Sequence, residues 1–536
     1  MGVVGASSSR TGTAPPPSRS RAAAWGFGTM LVYTLVTTVT GLAITPVVVR
    51  LLGQVRYGAV RMILDYGGYL ALLELGLGGT LAPLLARAAG RGDEPALRGT
   101  MAAGVRLYGL IAVAIVIVGG SLAPWVDRLV PVPPGLVGEV RLAWLVAVGG
   151  YVLLVLSPFR ALADARQRGY RINLLMTGQV VVMAAAAWYF ATHVGGVPGQ
   201  VLALVLANAL VAVSLLADGL ARHPGLVRAI LTTRPSGQVW RSLWSLSPAT
   251  LLMNICGRVG LLTDYIIVGN VLADGPQQVT ALFLTQRLAV LAQGQLQGIG
   301  SVVWAGLAEL HARGDDELFR RRLVELTRLV AILGVAGLAP IAAYNHAFFD
   351  LWVPFQRADY AGPVVLMVAT TNSFLLGVTN LWSFCFGGTG KVRIVLPPIV
   401  AATALNVTIS VGATFLLQRA LGPRAALVGP LLGTTTGLVA VLLWALPLLL
   451  RRTFGIAPAD LVGAVGRPLL VGLPYAAVLF LLARAFPPTH WLTLFTALGL
   501  SAIGFLVLAW VTLLTPDDRR LWLQRLAILL PRLGRR

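Results

Sequence analysis

Long apolar runs follow one another along almost the whole chain, and this succession constrains the fold more than any other feature. Each run holds about 20 mostly apolar residues, which as an α-helix span the hydrocarbon core of a bilayer. The runs lack the alternation of a transmembrane β-strand. We therefore predict an all-α polytopic membrane protein. Its predicted transmembrane helices, about fourteen in number, lie near residues 26–48, 60–85, 102–125, 140–161, 172–193, 199–221, 243–272, 279–306, 327–349, 363–387, 393–417, 425–449, 467–485 and 491–514.

The composition argues against several other classes of protein. Only 12% of the residues are charged, whereas a soluble domain carries roughly 25%. The two cysteines, Cys256 and Cys385, lie in apolar runs, and the five histidines are scattered. We therefore expect no disulfide framework, no metal site and no cofactor. The net charge of +22 comes from arginines in short loops between apolar runs. This pattern indicates membrane topology, and we predict no nucleic-acid partner.

The arginines also predict the orientation of the chain. With about fourteen crossings both termini lie on one side, and most basic residues lie in the loops of that side. Basic loops mark the cytoplasmic side of a membrane protein, so both termini are predicted to be cytoplasmic. We expect the protein in a bacterial cytoplasmic membrane. Residues 1–24 are predicted to be disordered. Residues 515–536 are predicted to form a basic amphipathic tail on the cytoplasmic leaflet.

The chain contains an internal repeat. "RGDEPALR" begins at Arg91 and "RGDDELFR" begins at Arg313, 222 positions later, and the same offset relates Arg106 to Arg328. Because both octapeptides fall in predicted cytoplasmic loops, we interpret them as topology markers and not as adhesion motifs. Two six-helix units of the same orientation are therefore predicted, related by an axis along the membrane normal. The predicted domains are an N-lobe (25–222), a linker (223–242), a C-lobe (243–450) and two additional helices (451–514).

Polar residues inside the predicted spans are the candidates for function, because a charge at the bilayer centre costs about 2.5 kcal/mol or more. The spacing of several of them places polar stripes along the seventh and eighth spans. We predict that these stripes line a wet substrate cavity. The alternative is a buried polar seam between helices. The predicted cavity residues are Arg258, Arg287, Asn254, Gln286, Gln293 and Gln297.

Three carboxylates are candidates for ion coupling or gating. Asp65 and Arg287 are separated by the repeat offset, so they could form an ion pair between the lobes; the alternative is a local pair of Asp65 with Arg61. Glu74 lies on the other side of the helix from Asp65, and its alternative role is a buried contact within the N-lobe. Asp264 is either a proton site or a structural partner.

Several motifs resemble a known family. "VVVRLLGQVRYGAV" and "YLALLELGLGGTLAPLLARAAGRGD" in the first half, and "DYIIVGNVLADGPQQVTALFLTQRL" and "LAELHARGD" in the second, resemble bacterial polysaccharide flippases. These belong to the multidrug/oligosaccharidyl-lipid/polysaccharide exporter superfamily. The resemblance covers roughly residues 25–450. Two features depart from family patterns: Glu74 replaces the usual Asp, and the first span lacks the basic residues typical of lipid II flippases.

The resemblance implies a flippase that moves a polyprenyl-diphosphate-linked oligosaccharide across the cytoplasmic membrane by alternating access, and not an enzyme. Arginine suits the phosphate oxygens of such a substrate. The sole lysine, Lys391, is followed by Val392, so no ATP-binding loop is present and an ion gradient or the membrane potential is expected to supply energy. Polysaccharide polymerases and glycosyltransferases are the expected protein partners. The alternatives are a lipid II flippase, a multidrug antiporter, and a membrane glycan polymerase or ligase.

Overall fold

The computed structural model is all-helical, and the part of the chain that it describes contains no β-strand. It describes residues 19–74, 77–166, 169–223, 225–233, 237, 248–514, 519 and 523. The principal helices are α1 (Arg19–Leu52), α2 (Gln54–Leu70), α3 (Leu77–Arg91), α4 (Glu94–Leu122), α5 (Val137–Tyr151), α6 (Ser157–Ala165), α7 (Gly169–His193), α8 (Gly196–Arg222), α9 (Leu226–Thr232), α10 (Pro248–Val271), α11 (Gly275–Thr285), α12 (Arg287–Ala312), α13 (Asp316–Trp352), α14 (Pro363–Gly388), α15 (Val392–Leu421), α16 (Gly429–Gly437), α17 (Leu443–Phe454), α18 (Pro458–Ala485) and α19 (Trp491–Thr512).

Short helical segments complete several of these helices. Helix α1 begins at Arg19, inside the segment that was predicted to be disordered. Part of the predicted linker, namely residues 224, 234–236 and 238–242, and nearly all of the predicted tail at 515–536 lie outside the described residues. The short segments are the 3₁₀ turns Ala71–Glu74, Ala123–Trp125, Pro134–Leu136, Val152–Leu156 and Pro354–Asp359, the single α-turns Val126–Leu129 and Pro423–Ala426, and a π-helical turn at Leu438–Leu442.

The protein is a multi-pass membrane protein. Twelve helices of the described chain are long and apolar enough to cross a bilayer, which confirms the helical fold but not the predicted count of fourteen. The two remaining predicted spans, 60–85 and 279–306, fall on interrupted segments. Helices α2 and α3 have 17 and 15 residues, fewer than the roughly 20 that a crossing needs. The second segment is divided between α11 and α12 at Gln286.

The helices expose apolar side chains on the outer surface and bury others in two apolar cores. Large apolar side chains are highly exposed on the periphery, among them Leu470 at 75% and Leu492 at 79%. Lipid tails can cover such a surface, whereas water could not do so without a large free-energy cost. Inside, one apolar core extends through the first half and continues into the second half. A separate core fills the rest of the second half.

The position of the shared core shows where the two halves meet. We call the side at which α1 begins and α19 ends the terminal face, and the other side the opposite face. The second-half members of the shared core include Val279, Phe349 and Leu427, which lie near helix ends at the opposite face. The separate core includes Leu307, Phe319 and other residues toward the terminal face. The halves are therefore packed together mainly at the opposite face, where α2 contacts α10 and α11.

Candidate functional site

The charged residues of the site surround a single aromatic ring at the junction of the two halves. Phe283, on α11, is buried. The guanidinium of Arg61, on α2, lies 4.6 Å from the ring centroid, and that of Arg287, at the start of α12, lies 5.3 Å from it. Stacking on an aromatic face suits the planar, delocalised cation of arginine. The ring therefore brings one cation from each half into the same site.

Asp65 pairs within its own helix. Its Oδ1 lies 3.8 Å from Nη2 of Arg61, four residues earlier on α2, and the carboxylate is almost fully buried. This is the local pair that the sequence left open as the alternative, and the pair of Asp65 with Arg287 between the halves is not formed in this structure. The other oxygen, Oδ2, is buried without a hydrogen-bond partner among the described residues, as is Nε of Arg61. The charges are thus partly compensated, but their hydrogen-bonding capacity is not used up.

Arg287 is the least compensated charge of the site. Its Nη2 atom packs so close to Gly41 of α1 that a Cβ at that position would lie 2.8 Å away. Its Nε is buried and has no partner within the described chain. Arg61 lies within electrostatic range, and a like charge opposes the burial of Arg287. Leaving a buried charged donor unsatisfied costs free energy, so this group is suited to receive an anion.

Arg258 and Asn254 lie on α10 and are both exposed. Arg258 lies within electrostatic range of the Tyr151 phenol, at the end of α5 in the first half. It therefore points toward the space between the halves. By helical spacing Ser247 belongs to the same polar stripe as Asn254 and Arg258, but it falls outside the described residues.

The three glutamines occupy different environments. Gln286 is buried and donates a 2.8 Å hydrogen bond to the Tyr265 hydroxyl, which is the geometry of a polar seam between helices. Gln293 is half-buried and accepts a hydrogen bond from Ser373 of α14 at 3.3 Å. Gln297 is also half-buried. The structure therefore separates Gln286, which is engaged in packing, from two amides with partial exposure.

The other two carboxylates are far from equivalent. Asp264 of α10 is half-buried and lies within electrostatic range of Asp65, which belongs to the other half. Glu74 instead accepts a 2.5 Å hydrogen bond from the hydroxyl of Tyr108, a buried residue of α4. That contact lies inside the first half, which favours a structural role for Glu74 over a role in coupling.

Two residues of this site were missed by the sequence analysis as functional candidates. Arg61 was considered only as the partner of Asp65, and Phe283 was not considered. The signal was present, because the repeat offset of 222 relates Arg61 to Phe283 as well as Asp65 to Arg287. Equivalent positions near a pseudo-twofold axis contact each other. No group of His, Cys, Asp or Glu that could hold a metal ion occurs in the described part of the chain.

The comparisons with known proteins concern the fold. No protein-family model and no curated protein matches the sequence. Among solved structures, the chain is similar to the lipid II flippase MurJ in an inward closed conformation, with a TM-score of 0.66 and 11% identity. That match covers 90% of this chain and 99% of the flippase. An inward-facing multidrug resistance MATE transporter of the MOP superfamily matches with a TM-score of 0.60 and 16% identity, covering 79% of this chain and 99% of the transporter.

A third solved structure extends the comparison. A MOP superfamily transporter from Pyrococcus furiosus, described as having a binding pocket of reversed polarity, matches with a TM-score of 0.57 and 15% identity. It covers 80% of this chain, and 96% of its own length is matched. The chain therefore has the fold of MOP superfamily transporters. This agrees with the superfamily implied by the sequence motifs, and it leaves the substrate to be argued from the site.

Proposed function

We propose that this protein is a flippase that moves a polyprenyl-diphosphate-linked oligosaccharide between the two leaflets of a bacterial cytoplasmic membrane by alternating access. The observation that carries the proposal is the pair of guanidinium groups around Phe283. Arg61 and Arg287 come from different halves, and each has a buried Nε without a partner in the described chain. One carboxylate, Asp65, pairs with this cluster, so it retains an excess of positive charge.

The chemistry of the proposed substrate matches this cluster. A diphosphate brings at least two negative charges into a region of low dielectric, where charge–charge attraction is strong. Arginine offers planar, paired donors that fit phosphate oxygens. Sugar hydroxyls need neutral hydrogen-bonding partners, and Asn254, Gln293 and Gln297 retain exposed surface for this role. The exposed Arg258 would be a second contact for phosphate.

Ion coupling would use the acids at the junction. Asp65 and Asp264 belong to different halves and lie within electrostatic range of each other. Two like charges repel, so a proton or cation taken up between them would favour their approach. Movement of the halves would change their separation, which links cation uptake to transport. Glu74 is left out of this role because Tyr108 already satisfies it.

A lipid II flippase is the second candidate, and the extent of the structural similarity favours it. The match to the lipid II flippase includes 90% of this chain, whereas the MATE matches include about 80%. Both candidate substrates carry a lipid-linked diphosphate, so the same arginines would serve either one. A multidrug antiporter for cations is supported less well, since a cluster with excess positive charge repels cationic drugs.

The test is to replace Arg287 and Arg258 singly with Ala in a strain that lacks the chromosomal gene. Surface glycan and the lipid-linked precursor are then quantified at matched expression. A lost charge-assisted hydrogen bond is worth about 1.5–3 kcal/mol, so we expect glycan export to fall about tenfold or more in Arg287→Ala. The precursor should accumulate in the same cells. A smaller loss is expected in Arg258→Ala, since that side chain is exposed.

The matched control is Arg419→Ala. Arg419 also stacks on an aromatic ring, that of Phe415 at 4.1 Å, but it is exposed on α15. Its loss should leave export unchanged. Export at the parental level in both Arg258→Ala and Arg287→Ala would contradict the proposed function. A defect in peptidoglycan synthesis with normal surface glycan would select the lipid II candidate.

A further inference from the structure

The two halves approach each other through main-chain atoms where α2 meets α11 at the opposite face. A Cβ on Gly58 would lie 1.8 Å from the carbonyl oxygen of Pro276, so only glycine fits at this position. Four residues earlier on α2, the carbonyl of Gln54 accepts a 2.8 Å hydrogen bond from the hydroxyl of Thr280. The two helices thus touch through small side chains and main-chain oxygens.

These contacts are symmetric in the register of the internal repeat. With the offset of 222, Gln54 corresponds to Pro276 and Gly58 corresponds to Thr280. Gly58 contacts Pro276, which is the counterpart of Gln54. Gln54 in turn contacts Thr280, which is the counterpart of Gly58. This exchange is the rule for an isologous contact, in which the same patch of two related units faces itself. One turn further along α2, Arg61 meets its own counterpart, Phe283.

Further contacts close the same face around this centre. Gln54 also donates a hydrogen bond to the carboxylate of Asp359, and Trp352 donates to the carbonyl of Leu42 at 2.6 Å. Deeper, Asn270 donates to the Tyr66 hydroxyl at 2.9 Å. Second-half members of the shared apolar core, such as Val279 and Phe349, also lie at this face.

We propose that the self-complementary contact of Gln54 and Gly58 with Pro276 and Thr280 is the releasable seal that closes the opposite face during transport. The seal is tight because glycine allows the main chains to touch. It is also releasable, because few hydrogen bonds hold it and because Arg61 and Arg287, both on the ring of Phe283, place like charges beside it. An anion bound between these arginines would favour closure. The inference rests on the proposed transport function but concerns the gate and not the identity of the substrate.

A cross-linking experiment tests the seal in the otherwise unchanged protein. The two native cysteines are buried and can be replaced by Ala. Gln54→Cys with Asp359→Cys is then treated with a short bifunctional thiol reagent. We expect efficient cross-linking and a loss of transport of about tenfold or more, because the opposite face can no longer open. A reducing agent that cleaves the cross-link should restore transport.

The control pair for cross-linking is Asp127→Cys with Arg141→Cys. These residues form a 3.0 Å ion pair at the same face but lie within the first half. Their cross-link should form equally well and leave transport intact. Transport at the parental rate in the cross-linked 54/359 protein would overturn the proposal.

A second variant tests the close approach itself. Gly58→Leu should prevent closure, so cross-linking of the 54/359 pair should fall about tenfold. A cysteine at Gln297 should then react faster with a membrane-impermeant thiol reagent applied at the opposite face. Gly109→Leu is the matched control, because a Cβ at Gly109 meets nothing within 4 Å. If Gly58→Leu cannot be produced, Gly58→Ala carries the same prediction with a smaller effect.

The outcomes separate the seal from the proposed substrate. Unchanged cross-linking and labelling in the Gly58 variants would overturn the seal whatever the substrate is. Normal glycan export in both Arg258→Ala and Arg287→Ala, together with reduced cross-linking in Gly58→Leu, would uphold the seal and contradict the substrate assignment. Both sets of measurements can be made on the same membranes.

Discussion

Residues 58–65 of α2 and residues 280–287 in the second half correspond at the 222-residue offset of the sequence repeat and carry different chemistry. In the first half, Arg61 and Asp65 form an ion pair four residues apart. In the second half the same two positions hold Phe283 and Arg287. The first stretch therefore contains a cation with its own counter-ion. The second contains a ring and a cation that lacks one within the described residues.

The difference shows how a duplicated fold can acquire an asymmetric site. The backbone contact around Gly58 obeys the symmetry of the repeat, since positions 54 and 58 exchange partners with their counterparts. The side chains one turn deeper differ between the halves, with Arg61 and Asp65 in the first and Phe283 and Arg287 in the second. Two identical ion pairs facing each other would neutralise the site, whereas an ion pair facing a ring and a second arginine leaves one excess positive charge. The asymmetry is what makes the site suitable for an anion.

The largest expected effect comes from removing the ring that both cations share. Phe283→Ala should reduce the free energy of unfolding by about 3–5 kcal/mol, as expected for a buried phenylalanine. It should also separate Arg61 from Arg287 and reduce cross-linking of the 54/359 pair. Phe505→Ala, in a fully buried site on α19, is the control. It should cost similar stability, measured by denaturant titration in detergent, without changing the cross-link. Equal effects of both variants on the cross-link would show that Phe283 has no specific role in holding the two halves together.

Breaking the ion pair of the first half should have the next largest effect. Arg61→Ala leaves Asp65 buried without its cation, and we expect the free energy of unfolding to fall by about 2–3 kcal/mol. The value is below that for a fully buried pair because Arg61 is 27% exposed and the separation is 3.8 Å. The double variant Arg61→Ala/Asp65→Ala should recover most of the loss. Additive losses in the double variant would show that the two residues do not interact.

The fold could be predicted from the sequence because it depends on the distribution of apolar residues along the chain and not on detailed side-chain packing. Runs of about 20 apolar residues define membrane helices regardless of how the helices pack. The all-helical prediction was confirmed. The count of fourteen was not, because apolarity does not reveal where a helix is interrupted. The break at Gln286 lies beside Arg287 at a point where no Gly or Pro marks an interruption, and α2 ends at Leu70 within a run of mostly apolar residues.

The site could be predicted only in part. Two pairs were open for Asp65 from the sequence, one with Arg287 at the repeat offset and one with Arg61 in the same helix, and the structure contains the pair with Arg61. Helical spacing placed Gln286 on the same line as Gln293, yet Tyr265 engages the first of these in a buried hydrogen bond. Which face of a helix meets water is decided by its neighbours, and a single sequence does not contain that information.

A second pair of equivalent sites offers a smaller test of the same comparison. Tyr108 and Glu74 share a hydrogen bond in the first half, and their counterparts in the second half are Val330 and Leu296, both buried in the separate apolar core. Tyr108→Phe should cost about 1–2 kcal/mol of unfolding free energy, because the carboxylate loses its donor. The double change to Tyr108→Phe/Glu74→Leu should cost less, since it removes both polar partners and keeps the buried volume of the ring. A larger loss in the double variant would show that the first half cannot accept, at this position, the apolar packing found in the second half.

The smallest expected effect concerns the contact that does follow the symmetry. Thr280→Val keeps the shape of the side chain and removes the hydroxyl that donates to the carbonyl of Gln54 at 2.8 Å. One hydrogen bond contributes about 1 kcal/mol, so closure of the opposite face should weaken by roughly fivefold in the cross-linking assay. The control is Thr379→Val, because that buried hydroxyl donates to Leu375 of its own helix. It should leave closure unchanged. Since Gly58 has no side chain with which to compensate, an unaltered cross-link in Thr280→Val would show that the approach of the main chains, and not the hydrogen bond, holds the halves together.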